Sequence, residues 1–190
     1  AKKRDHRKLG RQLDLYDIQE DGPGFPFFYP NGMILRNQLE DFWREQHTKR
    51  GYHEIKTPII LNRDLWIRSG HWDHYQNNMY FTKIDDADYA VKPMNCPGAM
   101  LTYKRRIYSY RDLPERHCEL GLVHRHELSG ALPGLMRVCC LTQDDSHIFI
   151  MRGQHKDEVV ALMEQLEYFY DLCGIQYSSD LCNRPASSLG

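Results

Sequence analysis

The chain has 190 residues, of which 41% are hydrophobic, so it is long enough and apolar enough for one domain with a sizeable core. Its 25 Lys and Arg residues nearly balance its 26 Asp and Glu residues, and a formal charge of -1 argues against a dedicated nucleic-acid binder with a broad basic surface. No apolar run is long enough for a transmembrane helix, and the basic start AKKRDHRK is not followed by a signal-peptide segment, so we expect a soluble, cytoplasmic protein.

Apolar spacing and turn residues divide the chain into helices, one strand and two hairpins. Capping signals mark several boundaries: Asp5 suits a helix N-cap, Pro97 the first turn of a helix, and Gly174 a helix end. In chain order the predicted elements are a helix after Asp5 carrying Leu9, Leu13 and Tyr16, an irregular loop over 20–31, a helix over 32–47, a strand over 52–57 ended by Pro58, a hairpin with strands at 79–84 and 89–94, a helix over 97–107, a hairpin over 117–149 and a helix over 154–173.

This order predicts an α+β fold, in which a mainly antiparallel sheet has helices against one face. It lacks the regular strand and helix alternation of a doubly wound fold. The chain also contains no G-x-G-x-x-G and no P-loop motif, so a nucleotide would have to be bound without either turn.

The hairpin over 117–149 concentrates chemically capable side chains. Residues 128–136 contain Gly130, Pro133 and Gly134 and are interpreted as its turn. Because side chains alternate across a strand, one face would carry guanidinium, carboxylate, amide and imidazole groups together. Such a face is costly to desolvate unless its members pair with each other, a metal or a ligand, so it has the composition of a binding site. Its members are Glu119, Arg125, Glu127, Arg137, Gln143, Asp145 and His147.

Arg125 and Glu127 stand two residues apart in an R-x-E pattern. An arginine so placed can hold a phosphate through charge-assisted hydrogen bonds, and a glutamate can accept from an exocyclic amine such as that of adenine. A cross-strand ion pair explains the same spacing, and such pairs are common. The residues alone leave both readings open.

Cys96 and His147 are the candidate metal ligands. Cys96 precedes Pro97 at a predicted helix start, where the helix dipole favours a thiolate, and His147 shares a strand face with Asp145. A buried apolar cysteine and a structural histidine are the alternatives. A catalytic zinc needs three protein ligands, and the residue pattern supplies no convincing third. Asp145, rather than Asp144, is expected to contact a ligand because it shares the parity of Gln143.

Seven segments spread over nearly the whole chain carry a family resemblance. They are RDHRKLGRQLDLY, GYHEIKTP, SGHWDHY, YAVKPMNCPGAM, SYRDLP, HRHELSGALPGLMRV and TQDDSHIF. Together they resemble the catalytic domain of the threonyl-tRNA synthetases, which are class II aminoacyl-tRNA synthetases. KPMNCPG combined with QDD-x-H is typical of this family rather than of its seryl and prolyl relatives.

The resemblance implies that residues 1–190 form part of a class II catalytic domain, with an antiparallel sheet flanked by helices. It implies threonine activation with ATP and magnesium, transfer to tRNA(Thr), and a homodimer built partly by the segment that ends in Pro58. The implied roles are ATP binding by Arg125, Glu127 and Arg137, with Arg125 catalytic, threonine binding by Gln143 and Asp145, and zinc binding by Cys96 and His147.

The chain also departs from the family pattern. The family's third zinc histidine, its third class II motif and its anticodon-binding and editing domains lie outside these 190 residues. Leu141 stands where an adenine-stacking aromatic ring is expected, and Cys139 replaces an expected arginine. We therefore expect impaired activity of the isolated chain. The alternatives are a non-catalytic module that binds an amino acid or nucleotide, and a folded scaffold fragment.

Overall fold

The computed structural model describes residues 5–127 and 134–180. It contains two compact units, Ala1–Phe149 and Ile150–Gly190. The helices are α1 (His6–Gln12), α2 (Pro30–Lys49), α3 (Arg63–Arg68), α4 (His71–His74), α5 (Cys96–Tyr103) and α6 (His155–Cys173). The strands are β1 (Tyr16–Ile18), β2 (Pro26–Phe28), β3 (His53–Glu54), β4 (Ile60–Asn62), β5 (Tyr80–Ile84), β6 (Ala87–Val91), β7 (Glu115–His124) and β8 (Cys140–Phe149).

The helix ends follow from local capping chemistry. The Asp5 side chain accepts a hydrogen bond from the Arg7 amide at the start of α1, as predicted. Helix α2 begins at Pro30, whose fixed backbone angle suits a first helical turn. Helix α6, in the second unit, ends at Cys173 and is capped by Gly174, which adopts φ 64° and is favoured there because it has no Cβ.

Four local predictions were wrong. The segment 20–31 was predicted to be irregular, but Pro26–Phe28 forms β2, which pairs with β1, and Tyr16 belongs to that strand rather than to α1. An edge strand tolerates a proline at its first residue, so the proline signal was misleading. Helix α5 ends at Tyr103 instead of continuing to 107, and the predicted strand over 52–57 is reduced to His53–Glu54.

The described strands form three sheets, with orders β1-β2, β3-β7-β8 and β4-β6-β5. All pairs are antiparallel except β3 with β7, which is parallel. The prediction of an α+β fold is confirmed, although the strands divide among three sheets rather than forming one. Asp85 and Asp86 form the tight turn between β5 and β6, both with positive φ, which Asp tolerates better than most residues.

Two clusters of buried hydrophobic residues form the core of the first unit. Trp43 of α2, Tyr52 and Cys118 of β7 form one, and Leu120 and Ile148 pack against it. The other, around Trp66, Met79 and Ala90, lies between α3 and the β4-β6-β5 sheet. Within the described part of the chain, no helix is both long enough and apolar enough to span a membrane.

Candidate active site

The polar face of the long hairpin lies on paired strands. Strands β7 and β8 pair antiparallel, with Asp145 opposite Glu119 and Gln143 opposite Gly121. His147 lies on β8 two residues beyond Asp145. Because alternate residues of a strand share a face, Gln143, Asp145 and His147 project from the same side of the sheet, as their parity predicts.

Arg125, Glu127 and Arg137 lie beyond the strands. Strand β7 ends at His124 and β8 begins at Cys140, so strand alternation does not set the direction of these three side chains, contrary to the prediction. Other contacts hold Arg125. Its amide donates to the Cys139 carbonyl oxygen at 2.8 Å, and its Nε donates to the Pro93 carbonyl oxygen at 3.1 Å. Its terminal guanidinium nitrogens make no hydrogen bond or ion pair with the described residues.

Glu127 and Arg137 pair with each other across the mouth of the hairpin. Arg137 Nε donates to a Glu127 carboxylate oxygen at 2.7 Å, and the Glu127 side chain is only 10% exposed. The ion-pair interpretation of Glu127 therefore describes this structure, but its partner is Arg137 rather than Arg125. Residues 128–133 of the predicted turn lie outside the described residues.

Cys96, Asp145 and His147 converge. The Cys96 Sγ atom, one Asp145 carboxylate oxygen and one His147 ring nitrogen all lie within 4.8 Å of one another. Sequence spacing offered two metal ligands, and the fold supplies a third donor because α5 begins beside the middle of β8. Sulfur, imidazole nitrogen and carboxylate oxygen are all ligands that zinc accepts.

The protonation of Cys96 differs from the expectation based on the helix dipole. Burial raises the pKa of the Cys96 thiol, and the neighbouring Asp145 carboxylate raises it further. Both effects disfavour a second negative charge beside Asp145, although Cys96 opens an eight-residue helix. A cation bound by the three donors would reverse this balance, because it stabilises the thiolate.

Asn95 connects these donors and was not identified from the sequence. Its side chain is 1% exposed, and its Nδ2 donates to Asp145 Oδ2 at 3.0 Å and lies 3.4 Å from Gln143 Oε1. The partners are 48 and 50 residues away along the chain, so no local pattern indicates the contact. A polar residue just before Cys-Pro-Gly is the one available signal.

A buried ion pair lies on the same side of the sheet. Lys92 Nζ donates to Glu119 Oε1 at 3.2 Å and to Thr57 Oγ1 at 2.7 Å. The Thr57 amide donates to the same Glu119 oxygen at 2.8 Å. The two charged side chains are 1% and 4% exposed, and these bonds satisfy them. Glu119, which the parity argument placed on the polar face, is therefore part of the framework of the site.

The two residues that depart from the family pattern have different surroundings. Cys139 is 4% exposed, and its amide donates to the Gly24 carbonyl oxygen at 2.8 Å. Burial and a hydrogen bond to Cys139 raise the pKa of Tyr80 to about 12. Leu141 is half-buried on β8, opposite Val123.

The opposite side of the hairpin is apolar. A cavity of about 830 Å³ is lined by α1, α2, β1, β2 and the ends of both long strands, including Leu120, Leu122 and Thr142. None of Cys96, Gln143, Asp145 and His147 lines it. Leu141 borders this cavity, whereas the candidate metal and threonine ligands do not, so those ligands are separate from it.

Comparison with known proteins identifies the family. The family model for the tRNA synthetase class II core domain (G, H, P, S and T) matches residues 80–188, more than half of the chain and including every candidate site residue. The chain belongs to the class II tRNA synthetase core family. Within this class II core, β7, β8 and α5 carry the candidate site.

The relatives at high identity carry the name threonine–tRNA ligase. Those from Desulforamulus reducens and Acetivibrio thermocellus are each 66% identical over the whole chain, and the chain spans 30% of the length of each. Among solved structures, the RNA binding domain of threonyl-tRNA synthetase from Cryptosporidium parvum Iowa II has a TM-score of 0.87 and 41% identity, covering 90% of this chain and 43% of that one. The class II core is thus a homologue of threonyl-tRNA synthetases.

A more distant structure shares the fold alone. Prolyl-tRNA synthetase from Giardia lamblia, solved in complex with prolyl-adenylate, has a TM-score of 0.76 at 18% identity. It covers 86% of this chain and 34% of that one. The architecture of the class II core is therefore retained at an identity too low to carry function.

Proposed function

We propose that this class II core binds threonine and ATP and forms threonyl-adenylate, from which the threonyl group passes to tRNA(Thr). The observation that carries the proposal is the convergence of Cys96, Asp145 and His147 within a class II core, with Arg125 hydrogen-bonded to Pro93 in the segment that precedes Cys96. Similarity to threonine–tRNA ligases over the whole chain supports it.

The donor set fits a zinc ion. Cys96 and His147 would hold it, and the Asp145 carboxylate lies within reach of the same point. Zinc, when bound, would supply coordination for the amino group and the β-hydroxyl of threonine. The negative charge of the neighbouring Asp145 carboxylate favours a cation at this place.

Asp145 and Gln143 would recognise the side chain of the amino acid. Asp145 would accept a hydrogen bond from the β-hydroxyl, and Gln143 lies beside it on the same face of β8. Valine, which has a methyl group in place of the hydroxyl, would leave Asp145 without this donor. An unpaired polar group in a site rejects an isostere far better than shape does.

Arg125 would hold the α-phosphate of ATP. Its terminal guanidinium nitrogens make no hydrogen bond or ion pair with the described residues, and hydrogen bonds at its amide and Nε fix the rest of the residue. A positioned guanidinium stabilises the charge that develops when the threonine carboxylate attacks the α-phosphate. Magnesium would accompany ATP and balance its phosphate charge.

Glu127 and Arg137 would contact the nucleotide, Glu127 through the exocyclic amine of adenine. Their mutual ion pair leaves the second Glu127 oxygen as the acceptor for that amine. We also propose that the segment ending in Pro58 contributes to a homodimer and that the reaction takes place in the cytoplasm. The isolated chain would turn over poorly, because family elements outside it complete the site.

Threonine-dependent exchange between ATP and pyrophosphate tests the proposal. We expect weak exchange with the 190-residue chain that requires added zinc and is lost in Arg125→Ala. Arg105→Ala is the matched control, since Arg105 is exposed at the end of α5 and contacts no candidate site residue. Serine and valine in place of threonine test selectivity.

Two further measurements decide between enzyme and scaffold. The purified chain should contain zinc, and threonine should raise its melting temperature. A chain without exchange, metal or a threonine-induced rise in melting temperature would contradict the proposal and leave the scaffold interpretation. A chain that binds threonine and metal without exchange would be a binding module.

A further inference from the structure

Asn95 lies between helix α5, which carries Cys96, and strand β8, which carries Asp145. It follows β6 by four residues and immediately precedes Cys96, the first residue of α5. Its carbonyl oxygen accepts from the Ala99 amide at 3.0 Å, the first backbone bond of that helix. Its side chain reaches β8, where Nδ2 donates to Asp145 Oδ2 at 3.0 Å. One residue therefore connects the thiol-bearing helix to the carboxylate-bearing strand.

The chemistry of this contact requires an amide donor. Both partners of Asn95 Nδ2, the carboxylate of Asp145 and the side-chain oxygen of Gln143, are acceptors, so the orientation of the Asn95 amide is determined. The nitrogen's two hydrogens serve one acceptor each. A carboxylate at this position would repel Asp145 instead.

Gly121 makes room for the Asn95 side chain. A Cβ atom built on Gly121 would lie 2.1 Å from Asn95 Nδ2 and 2.4 Å from its Cγ, far closer than real contacts allow. Gly121 pairs with Gln143 across the strands, so the amide lies directly over the sheet at the level of the residues it contacts. A glycine in the middle of a strand weakens the strand, and close approach by another group explains its presence.

The Asn95 contact also removes one Asp145 oxygen from competition for the metal. Asp145 lies within 4.8 Å of both Cys96 and His147, so an unrestrained carboxylate could turn toward a bound cation. A charge-assisted hydrogen bond to Oδ2 opposes that rotation. The carboxylate then remains available to accept from a ligand hydroxyl.

We propose that Asn95 is a positioning residue that holds Asp145 and Gln143 for recognition of the amino-acid hydroxyl, with Gly121 as its steric counterpart. Asn95 contacts neither the reacting atoms nor the metal in this arrangement. The inference rests on the proposed threonine-binding function of the same site. It predicts that amino-acid recognition and metal binding separate when Asn95 is changed.

The test measures cobalt(II) affinity by visible absorption and threonine affinity by calorimetry, on the 190-residue chain loaded with metal. Asn95→Ala should weaken threonine binding roughly tenfold or more, the loss typical of a hydrogen bond to a charged group, while cobalt affinity stays within about threefold. The isosteric Asn95→Asp should lose threonine binding as well, with cobalt binding equal or tighter. Asn37→Ala, an exposed asparagine of α2, is the control and should change neither affinity.

A double-mutant cycle identifies the role of Gly121. Gly121→Ala should weaken threonine binding about as much as Asn95→Ala does, although a glycine has no polar side chain. The double variant should bind threonine about as weakly as either single variant. Melting temperatures of all variants show whether each is folded. If Gly121→Ala does not fold, the isosteric Asn95→Asp variant still decides the question.

Each outcome is decisive. If Asn95→Ala and Asn95→Asp both bind threonine within about twofold of wild type, this inference is wrong and the proposed function stands. A parallel loss of cobalt and threonine affinity also contradicts the inference, because it indicates a general structural role for Asn95. A wild-type chain that binds neither cobalt nor threonine overturns the proposed function and this inference together.

Discussion

The two faces of the β7–β8 hairpin differ although the same ten-residue strands build both. On one face, Glu119, Asp145 and His147 alternate with residues of the other face, and the segment between β6 and α5 donates hydrogen bonds to Glu119 and Asp145. On the opposite face, Leu120 and Leu122 border an apolar cavity of about 830 Å³.

Because side chains alternate along each strand, polar contacts lie on one face and apolar packing lies on the other. Glu119 and Asp145 on the first face have specific hydrogen-bond partners at 3.2 Å or less, so small displacements are costly. The apolar face is held by non-directional burial, which tolerates imperfect filling better than a buried charge tolerates a missing partner. Substitutions that act on one face at a time test this distinction.

Removing one member of the buried ion pair should have the largest effect. Glu119→Ala leaves the Lys92 ammonium buried without its counter-charge, so we expect a loss of about 3 to 5 kcal/mol in the free energy of unfolding, measured with urea. The double variant Lys92→Met/Glu119→Leu should recover most of this loss. Asp88→Ala, which breaks the exposed pair with Arg63, should cost about 1 kcal/mol or less. Equal losses for Glu119→Ala and Asp88→Ala would show that burial does not distinguish these pairs.

Truncation on the apolar face should cost less. Leu120 packs against Trp43, Tyr52 and Cys118, so Leu120→Ala should lower the free energy of unfolding by about 2 to 3 kcal/mol. Denaturant titration provides the measurement. Ile107→Ala is the control, because Ile107 is 97% exposed and should contribute within about 0.5 kcal/mol. A loss for Leu120→Ala greater than that for Glu119→Ala would reverse the comparison of the two faces.

An aromatic ring at position 141 tests whether the faces also differ in ligand binding. Leu141 shares the parity of Gln143 and Asp145, although it also borders the cavity, so Leu141→Phe should strengthen binding of a non-hydrolysable ATP analogue by about 1 kcal/mol through stacking on adenine. Leu122→Phe places the same ring on the cavity face and should leave nucleotide affinity unchanged. Calorimetry compares the two variants, and an equal gain in both would exclude stacking at the proposed site.

The ion pair beyond the strands should have the smallest effect. Arg137 is 58% exposed, so Arg137→Ala should change the free energy of unfolding by about 1 kcal/mol or less. The change should shrink further in concentrated salt, which screens exposed charges. Urea titrations at low and high ionic strength measure both quantities. An undiminished loss at high salt would mean that packing of the Arg137 stem, rather than charge, supports Glu127.

Local signals predicted much of the fold, whereas long-range contacts escaped prediction. The Asp5 cap, the Gly174 stop and the pairing of the long hairpin depend on neighbouring residues or on strand period, both readable in sequence. The partners of Lys92 and Asn95 lie 27 to 50 residues away and belong to no periodic pattern. Their contribution to the site follows only from the three-dimensional arrangement.

The sequence indicated which residues lie in the candidate site better than it indicated their protonation and their ion-pair partners. Cys96 and His147 were predicted to be metal ligands, and the structure places both within 4.8 Å of each other and of Asp145. Burial and a nearby carboxylate raise the pKa of the Cys96 thiol, and this effect depends on tertiary packing that the position before a helix does not reveal. For the same reason the spacing of Arg125 and Glu127 did not reveal that Glu127 pairs with Arg137.

The buried Lys92 makes β7 sensitive to alignment errors. A shift of β7 by one residue would exchange Glu119 and Leu120 between faces, because side-chain direction has a period of two. In the misaligned sheet, the buried Lys92 ammonium group would face Leu120 instead of Glu119. A buried charge without a partner costs far more free energy than the misalignment of an uncharged strand. The ion pair thus favours the correct register of β7. A hairpin transferred to another protein scaffold would need Lys92, which lies outside the hairpin, to be transferred as well.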